Sequence, residues 1–328
     1  WFTRTPAAAV IAAGTAFSGP AAASSHGGMV DLPGPVVGTD WLAEHRESVT
    51  ILDLRLDEKG KSFTEKGHIP DARPVLYDTL RTERMMNSTK LTRVHRKRGP
   101  FQDLMQGAGV DAGDPVVIAH PGSSAGAVGA ATYLYWQMKL YGHDRVALLD
   151  GGMAKWKGEK RAMTTAVPRI QRGDFSADAA DPSLLATTAE GAKASASRER
   201  NLIDARPLAF FMGIEQRPYV SAAGHIPGSA LMPFTFATKA AEKGGVVFRD
   251  PGELKRIARA MGAPTGTPAI TYCNSGHVAS MGWFVEHALL ANPKAAMYDG
   301  SMHAWTRDPS RPVANPLQQG LTPRRRLH

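Results

Sequence analysis

The residue best suited to covalent chemistry is Cys273, the single cysteine among 328 residues. A short apolar run, residues 268–272, precedes it, and a helical pattern begins near Trp283. The residues between them, which we call the active-site loop, are Asn274, Ser275, Gly276, His277 and Val278. In a strand–loop–helix unit, backbone N–H groups and the positive end of the helix dipole stabilise a thiolate or a persulfide. The pattern predicts a nucleophilic cysteine; an inert buried thiol is the alternative.

Composition limits the other chemistries that the chain can perform. One cysteine allows no internal disulfide and no cysteine-based zinc cluster. His277 lies near Cys273, but no further ligands cluster around them, so we predict no metal and no other cofactor. The formal charge of +9 attracts small anions and would also suit nucleic acid or an acidic membrane. The basic segment 93–98 lacks interleaved aromatic residues, so we predict no nucleic-acid partner.

Three glycines, Gly122, Gly126 and Gly129, follow a predicted strand and open a predicted helix, as the glycines of a dinucleotide-binding loop do. Their spacing differs from that of the loop, and no second fingerprint residue accompanies them. We therefore expect these small residues to allow close packing of the helix rather than to bind a nucleotide.

The N-terminal residues have the pattern of a targeting signal. Arg4 is followed by an apolar run over residues 7–17 and by small residues over 19–24. We predict that residues 1–30 form a signal peptide-like segment and tail, cleaved near Ala23, and that the protein is periplasmic or otherwise exported. A disordered tail is the alternative. The apolar run is too short to span a bilayer, so we predict no stable membrane insertion of the mature chain.

Strands and helices alternate along the first half of the chain. Short apolar runs at residues 50–55, 115–120 and 145–150 predict buried strands, and residues 127–141 have helical spacing. Buried strands separated by helices indicate an α/β fold with a doubly wound parallel sheet flanked by helices. A polar, basic insertion at residues 81–98 is either a solvated loop or a rim that attracts anions.

The second half of the chain repeats the first, which predicts two copies of one domain. Four landmarks recur in the same order at offsets of 149 to 157 residues. They are Asp53-Leu54-Arg55 with Asp204-Ala205-Arg206, residues 67–70 with 224–227, residues 115–120 with 268–273, and residues 149–152 with 298–301. We predict an N-terminal domain at 31–161, a linker at 162–172, a C-terminal domain at 173–314 and a basic tail at 315–328.

These landmarks resemble the tandem rhodanese-like sulfurtransferases, a family that includes thiosulfate and 3-mercaptopyruvate sulfurtransferases. The resemblance covers about residues 33–312. It rests on the Asp-x-Arg triplet at Asp204, the Gly-His-Ile-Pro-Gly turn at 224–228, the loop that opens with Cys273, and Asp299-Gly300 before Trp305. As in the family, one domain lacks the cysteine, because His120 stands at the equivalent position. The resemblance implies two tandem rhodanese-like domains, an inactive first domain that forms one wall of the cleft, and an exported bacterial-type member.

The resemblance also implies the reaction. A Cys273 thiolate takes a sulfur atom from a small anionic donor, thiosulfate or 3-mercaptopyruvate, and passes it to a thiophilic acceptor such as cyanide or a thiol. Guanidinium groups suit the anionic donor, and Arg206 and Arg217 are the predicted substrate-binding residues. Ser275 either bonds the sulfur or leaving group, or caps a turn. The alternative function is a carrier that hands the persulfide to a protein partner without free turnover.

The loop sequence bears on the choice of donor. Asn274, Ser275 and Gly276 carry no charge, and His277 supplies one only when it is protonated. A carboxylate could instead be held by arginines outside the loop. We therefore expect 3-mercaptopyruvate to be preferred to thiosulfate. The acceptor and the oligomeric state have no signal in the sequence.

Overall fold

A computed structural model describes residues 30–57, 59–86 and 89–319 of the chain. The predicted signal segment and its cleavage position lie outside these residues, as does most of the predicted basic tail, so both stay predictions. Among the described residues, no helix is long and apolar enough to cross a membrane.

The described chain alternates strands and helices. Its strands are β1 Val36–Val37, β2 Thr50–Arg55, β3 Arg73–Leu76, β4 Arg81–Met86, β5 Thr89–His95, β6 Val116–Ala119, β7 Val146–Leu149, β8 Asn201–Asp204, β9 Ala230–Leu231, β10 Thr238–Ala240, β11 Val246–Phe248, β12 Ala269–Tyr272 and β13 Ala295–Met297. Its α-helices are α1 Thr39–His45, α2 Lys61–Glu65, α3 Arg98–Gly107, α4 Ala125–Leu140, α5 Gly152–Gly158, α6 Thr188–Ser197, α7 Leu208–Phe211, α8 Pro251–Ala260, α9 Ala279–Phe284, α10 Ser301–Trp305 and α11 Pro316–Gln319. Short 3₁₀ segments occupy Arg46–Ser48, Tyr77–Leu80 and Phe234–Ala237, and a π-helical turn, Val285–Leu289, continues α9.

The first sheet has five parallel strands in the order β1-β7-β6-β2-β3. Successive side chains of a strand point to opposite faces, and both faces are apolar here. Ile51 packs on one face with α1 and α5 residues, whereas Leu52 and Leu54 pack on the other with α3 and α4 residues. Because both faces are covered, the strands consist of continuous apolar runs, as the sequence predicted.

The second sheet repeats this arrangement with four parallel strands in the order β13-β12-β8-β9. An isolated parallel bridge from Leu185 to Met297 stands where β1 pairs with β7 in the first sheet. The repeat extends to the Gly-His-Ile-Pro turns, because His68 and His225 each stack on a phenylalanine ring at 3.6 Å between centroids. The predicted fold of two tandem α/β domains is therefore confirmed.

Helix α4 joins the two domains. Of its sixteen residues, only Gly126 and Lys139 are not fully buried, since the helix lies between the first sheet and α9 of the second domain. A helix enclosed on all sides is apolar all round rather than amphipathic. The expected close packing is present: a Cβ on Gly129 would lie 3.2 Å from the ring of His277. Gly129 therefore lets α4 approach the active-site loop.

The basic insertion is a β-hairpin formed by the antiparallel strands β4 and β5. Leu91 and Val94 of β5 are buried in a hydrophobic cluster with residues of the second domain, including Leu202 and Ile270. The interpretation of residues 81–98 as a solvated loop is therefore wrong. The hairpin leaves the first domain and packs into the second.

The segment between the predicted domains follows the first domain. Thr164 pairs with His68, and Phe175 donates its backbone N–H to Val110 at 3.0 Å while its ring packs edge-on against Phe101. Residues on both sides of position 173, the predicted start of the second domain, thus contact the first domain.

Candidate active site

Cys273 follows directly after β12, the strand that pairs with both β8 and β13 in the second sheet. The carboxyl ends of parallel strands are where α/β folds place their binding sites. The thiol is 2% exposed. Met302 donates its N–H to the Cys273 carbonyl at 3.0 Å, and His303 donates to the Asn274 carbonyl at 2.9 Å. The first residues of α10 therefore fix the backbone on which the sulfur is carried.

The sulfur is surrounded by small polar groups. The backbone N–H of Ser275 points at Sγ from 3.4 Å, and the hydroxyl of Ser301 lies 4.0 Å from it. The Ser301 oxygen also accepts the N–H groups of Cys273 at 3.0 Å and Gly276 at 3.2 Å. In the sequence Ser301 is only a landmark of the repeat, whereas in the structure it organises the active-site loop.

Gly276 has a backbone conformation that other residues rarely adopt. Its φ is +86°, and a Cβ at this position would lie 2.2 Å from Oδ1 of Asp299. The loop therefore turns tightly over the Asp299 carboxylate, and any residue other than glycine would displace the loop or the carboxylate.

Asp299 is a buried carboxylate held between the domains. It accepts the N–H of His95 at 2.9 Å, the His95 Nδ1 proton at 2.8 Å and the hydroxyl of Tyr133 at 2.9 Å. Burial acts to raise the pKa of Asp299, but hydrogen bonds and charge from His95, with the charge of Arg81, hold that pKa below its ordinary value. An ionised carboxylate beneath the loop thus ties the hairpin to the catalytic domain.

Arg81, the first residue of β4, brings a positive charge to the loop from the first domain. Its Nη2 donates to the carbonyl oxygen of Ser275 and, at 3.1 Å, to the Ser275 hydroxyl. The guanidinium lies over the rings of Tyr77 and Tyr133, at 5.6 and 5.5 Å from their centroids. It is close enough to interact electrostatically with Cys273. No sequence pattern singles out this residue among the arginines of the insertion.

The opposite side of Ser275 is closed by Tyr219, whose hydroxyl lies 3.2 Å from the Ser275 Oγ. The exposed Arg93 of β5 stacks over the Tyr219 ring at 5.4 Å. Ser275 therefore contacts a side chain from each domain, and a second arginine of the hairpin lies at the edge of the site.

Arg206, a predicted substrate-binding residue, lies buried behind the loop. Its guanidinium donates to the Asp204 carboxylate from Nε at 2.9 Å and from Nη2 at 2.5 Å. Nη2 also donates to the Gly224 carbonyl at 2.8 Å. Nη1 donates to Oδ1 of Asn274 at 3.2 Å. In the first domain Arg55 donates through Nη2 to the corresponding groups, Asp53 and the Gly67 carbonyl. The Asp-x-Arg pair is thus part of the framework of both domains, and only Arg206 reaches an active-site loop.

Arg217, the other predicted substrate-binding residue, is exposed and stacks over the ring of Phe210 at 5.1 Å. It lies two residues before Tyr219 in the chain. The structure brings Arg206 to the loop, but places Arg217 outside the group of residues that contact Cys273 and Ser275.

His277 points away from the sulfur and into the domain interface. Its Nε2 donates to the Gly126 carbonyl of α4 at 3.0 Å, and its ring lies 4.8 Å from that of Tyr77. Burial lowers the pKa of His277 to about 4. The imidazole is therefore neutral at neutral pH, and the loop has no cation of its own.

His120 occupies the place in the first domain that Cys273 has in the second. It is 1% exposed, its Nδ1 accepts the N–H of Gly122 at 3.1 Å, and burial lowers its pKa to about 4. A Cβ on Gly152 would lie 2.4 Å from the His120 carbonyl, so the backbone closes over this position. The position equivalent to Cys273 is thus filled by a buried imidazole and has no thiol.

Within residues 30–57, 59–86 and 89–319, no three acidic, histidine or cysteine side chains are grouped to hold a metal ion.

Comparison with known proteins agrees with this architecture. The family model for the rhodanese-like domain matches twice, at residues 38–159 and 187–308. A Saccharopolyspora erythraea protein, named provisionally as a thiosulfate sulfurtransferase, is 31% identical over 296 residues, which are 87% of this chain and 98% of the relative. The sulfur carrier protein TtuD of Thermus thermophilus is 28% identical over 301 residues, covering 86% of this chain and 97% of the relative.

Among solved structures, the Escherichia coli 3-mercaptopyruvate sulfotransferase SseA superposes with a TM-score of 0.67 at 25% identity, covering 82% of this chain and 98% of that one. The chain belongs to the rhodanese-like domain family, with two copies of the domain in tandem. Its similarity to the family's enzymes, over 82 to 87% of the chain, identifies it as a sulfurtransferase of the rhodanese type.

Proposed function

We propose that the protein transfers a sulfane sulfur from a small anionic donor to a thiophilic acceptor through a persulfide on Cys273. The observation that carries the proposal is the position of the thiol. It lies at the end of a central strand, with the Ser275 N–H 3.4 Å from Sγ and two guanidinium groups within electrostatic range. Hydrogen-bond donors and positive charge around the sulfur stabilise the thiolate and the persulfide anion.

The reaction needs no outside oxidant. The Cys273 thiolate attacks the transferable sulfur and forms a new S–S bond. With thiosulfate, the old S–S bond breaks and its electron pair leaves with sulfite. With 3-mercaptopyruvate, the C–S bond breaks, its electron pair leaves on carbon, and the donor's thiol proton passes to that carbon to give pyruvate. A nucleophilic acceptor, cyanide or a thiol, then takes the outer sulfur and restores the thiolate.

We favour 3-mercaptopyruvate over thiosulfate as the donor. Support comes from the active-site loop, because a neutral His277 leaves it with no cation of its own, and any charge for a compact dianion must come from outside the loop. We propose that Arg217, close in sequence to Tyr219, attracts the donor's carboxylate at the entrance of the site. Arg206 has most of its donors occupied by Asp204 and Gly224, so we propose that it acts through Asn274 to hold the loop.

Mass spectrometry tests the proposal directly. The protein incubated with either donor should gain the mass of one sulfur atom, and Cys273→Ser should gain none. Addition of cyanide should remove the added mass and release thiocyanate over many cycles. Sulfur transfer by Cys273→Ser would contradict the persulfide mechanism. A single uptake that only a protein partner can discharge would instead identify a carrier without free turnover, the alternative that the comparisons do not favour.

A further inference from the structure

We propose that Arg81 binds the anionic group of the sulfur donor, so that the domain without a cysteine supplies a substrate-binding residue. The inference rests on the proposed function and adds a residue that the sequence did not indicate. Arg81 belongs to the first domain and meets Ser275 across 194 residues of chain.

The guanidinium of Arg81 is oriented by two of its three nitrogens. Nε and Nη2 donate to the Arg93 carbonyl at 3.0 and 2.5 Å, and Nη2 also donates to Ser275. In the part of the chain that the structure describes, Nη1 has no hydrogen-bond partner. Nη1 is also not fully enclosed by protein, so a ligand can reach it. A fixed guanidinium with one free edge beside a nucleophile is suited to bind an oxyanion.

The charge of Arg81 is not cancelled by a direct ion pair with any described residue. Asp299 is the acidic group that influences Arg81, but the Asp299 oxygens already accept hydrogen bonds from His95 and Tyr133. Burial acts to lower the pKa of Arg81, yet Tyr77, Tyr133, Asp299 and Cys273 raise it above the ordinary value. The group is therefore a permanent cation, and the aromatic rings on which it lies reduce its contact with water.

The hairpin that carries Arg81 is fastened to the second domain beyond the site. The Thr92 N–H donates to Nε2 of His303 at 3.2 Å, and His95 is bound to Asp299. Because these contacts lie on β5, the position of Arg81 on β4 does not depend on its own bond to Ser275. A residue held in this way can bind a donor anion and stabilise the charge that develops on the leaving group.

The experiment compares charged and neutral sulfur reagents in single-turnover modification of Cys273, followed by mass. Thiosulfate and 3-mercaptopyruvate are the charged donors, and each leaves a persulfide. An organic trisulfide is the neutral reagent: the thiolate breaks one of its S–S bonds, an alkyl thiolate or alkyl persulfide leaves, and an alkyl mixed trisulfide or disulfide with a different mass stays on Cys273. Rates are compared at the plateau of each variant's own pH profile. In Arg81→Gln, the apparent second-order rate constant with both anions should fall on the order of tenfold to hundredfold, while that with the trisulfide stays within about twofold.

Two further variants control for folding and for net charge. Arg81→Lys keeps the charge but not the planar guanidinium. Its rate constants with the two anions should lie between those of Arg81→Gln and those of the unaltered protein. Lys90→Gln removes one positive charge from the same hairpin at an exposed residue paired with Glu83, and should leave all three rates unchanged. Sulfite, the product anion, should also inhibit Arg81→Gln less strongly than the unaltered protein.

The outcomes separate this inference from the proposed function. An equal loss with neutral and charged donors would show that Arg81 only positions the loop and would overturn the inference, as would unchanged rates with the anions. In both cases the mass gain on Cys273 would stand. Absence of the mass gain in the unaltered protein would instead overturn the proposed function itself.

Discussion

At the scale of single residues, the backbone of the active-site loop is as constrained as its side chains. Ser301 accepts two loop N–H groups through one oxygen, and the turn at Gly276 passes directly over Asp299. Substitutions that change the backbone should therefore affect the cysteine even when they introduce no charge and remove no polar group.

Gly276→Ala tests this constraint. The new Cβ would lie 2.2 Å from the Asp299 carboxylate at a φ of +86°, so the loop must shift. We expect a loss of more than about 2 kcal/mol of stability and at least about a tenfold fall in the rate of persulfide formation. Urea denaturation and the mass assay measure the two effects.

The matched control is Gly262→Ala. Gly262 also has a positive φ, +70°, but no atom lies within 4 Å of a Cβ placed there. Gly262→Ala should lower the free energy of unfolding by about 1 kcal/mol through backbone strain alone and leave the rate of persulfide formation unchanged. Equal effects of the two substitutions would show that contact with Asp299 is unimportant.

At the scale of elements, each domain uses an Asp-x-Arg pair to connect the end of a strand to the following Gly-His-Ile-Pro turn. Arg55 joins Asp53 to Gly67, and Arg206 joins Asp204 to Gly224. The pair recurs in the domain without a cysteine, so its first role is to hold the fold. The contact from Arg206 to Asn274 is an addition found at the catalytic loop.

Arg55→Met and Arg206→Met should separate these two roles. Each change leaves a buried carboxylate without its partner, so each should lower the free energy of unfolding by about 3 to 5 kcal/mol. At a temperature where both variants are folded, only Arg206→Met should form the persulfide more slowly, because Asn274 loses a donor. Thermal denaturation by circular dichroism and the mass assay provide the comparison. Slower persulfide formation in Arg55→Met would mean that the Asp53–Arg55 pair also affects the active-site loop.

At the scale of the whole molecule, the two domains share one interface that buries ionisable groups. Helix α4 is enclosed on all sides, His277 bonds to its Gly126, and Thr132 lies 2.8 Å from the hydroxyl of Ser280 on α9. The hairpin crosses from the first domain to the second beside this interface. Residues from both halves of the repeat therefore surround the active-site loop.

Buried histidines predict how stability changes with pH. The pKa of His120 is about 4 in the folded protein and near its ordinary value of about 6.5 when unfolded, so the unfolded chain binds the extra proton between these values. Stability is complete above about pH 6.5 and falls as the pH drops toward 4. His120 should account for about 3 kcal/mol of this loss; His277, less enclosed, should account for less.

His120→Asn should flatten this acid branch. Asparagine can still accept the Gly122 N–H but does not titrate. Urea denaturation at pH 7.5, 6.0 and 5.0 should show a smaller fall in stability for His120→Asn than for the unaltered protein. An unchanged acid branch in His120→Asn would place the titrating groups elsewhere.

The sequence by itself determined the features that depend on local backbone geometry. Apolar runs such as residues 50–55 specify buried strands, and the repeated turns specify two copies of the domain, because strand alternation and glycine turns leave their pattern in consecutive residues. The cysteine and the loop after it are recognisable for the same reason.

The tertiary structure decided which charges reach that loop. Arg81 meets Ser275 across 194 residues, and His277 is neutral because α4 encloses it. Neither outcome has a local pattern, since each depends on how the two domains dock. Burial and long-range partners set the charge, the pKa and the free donors of a side chain, and a linear sequence records none of them.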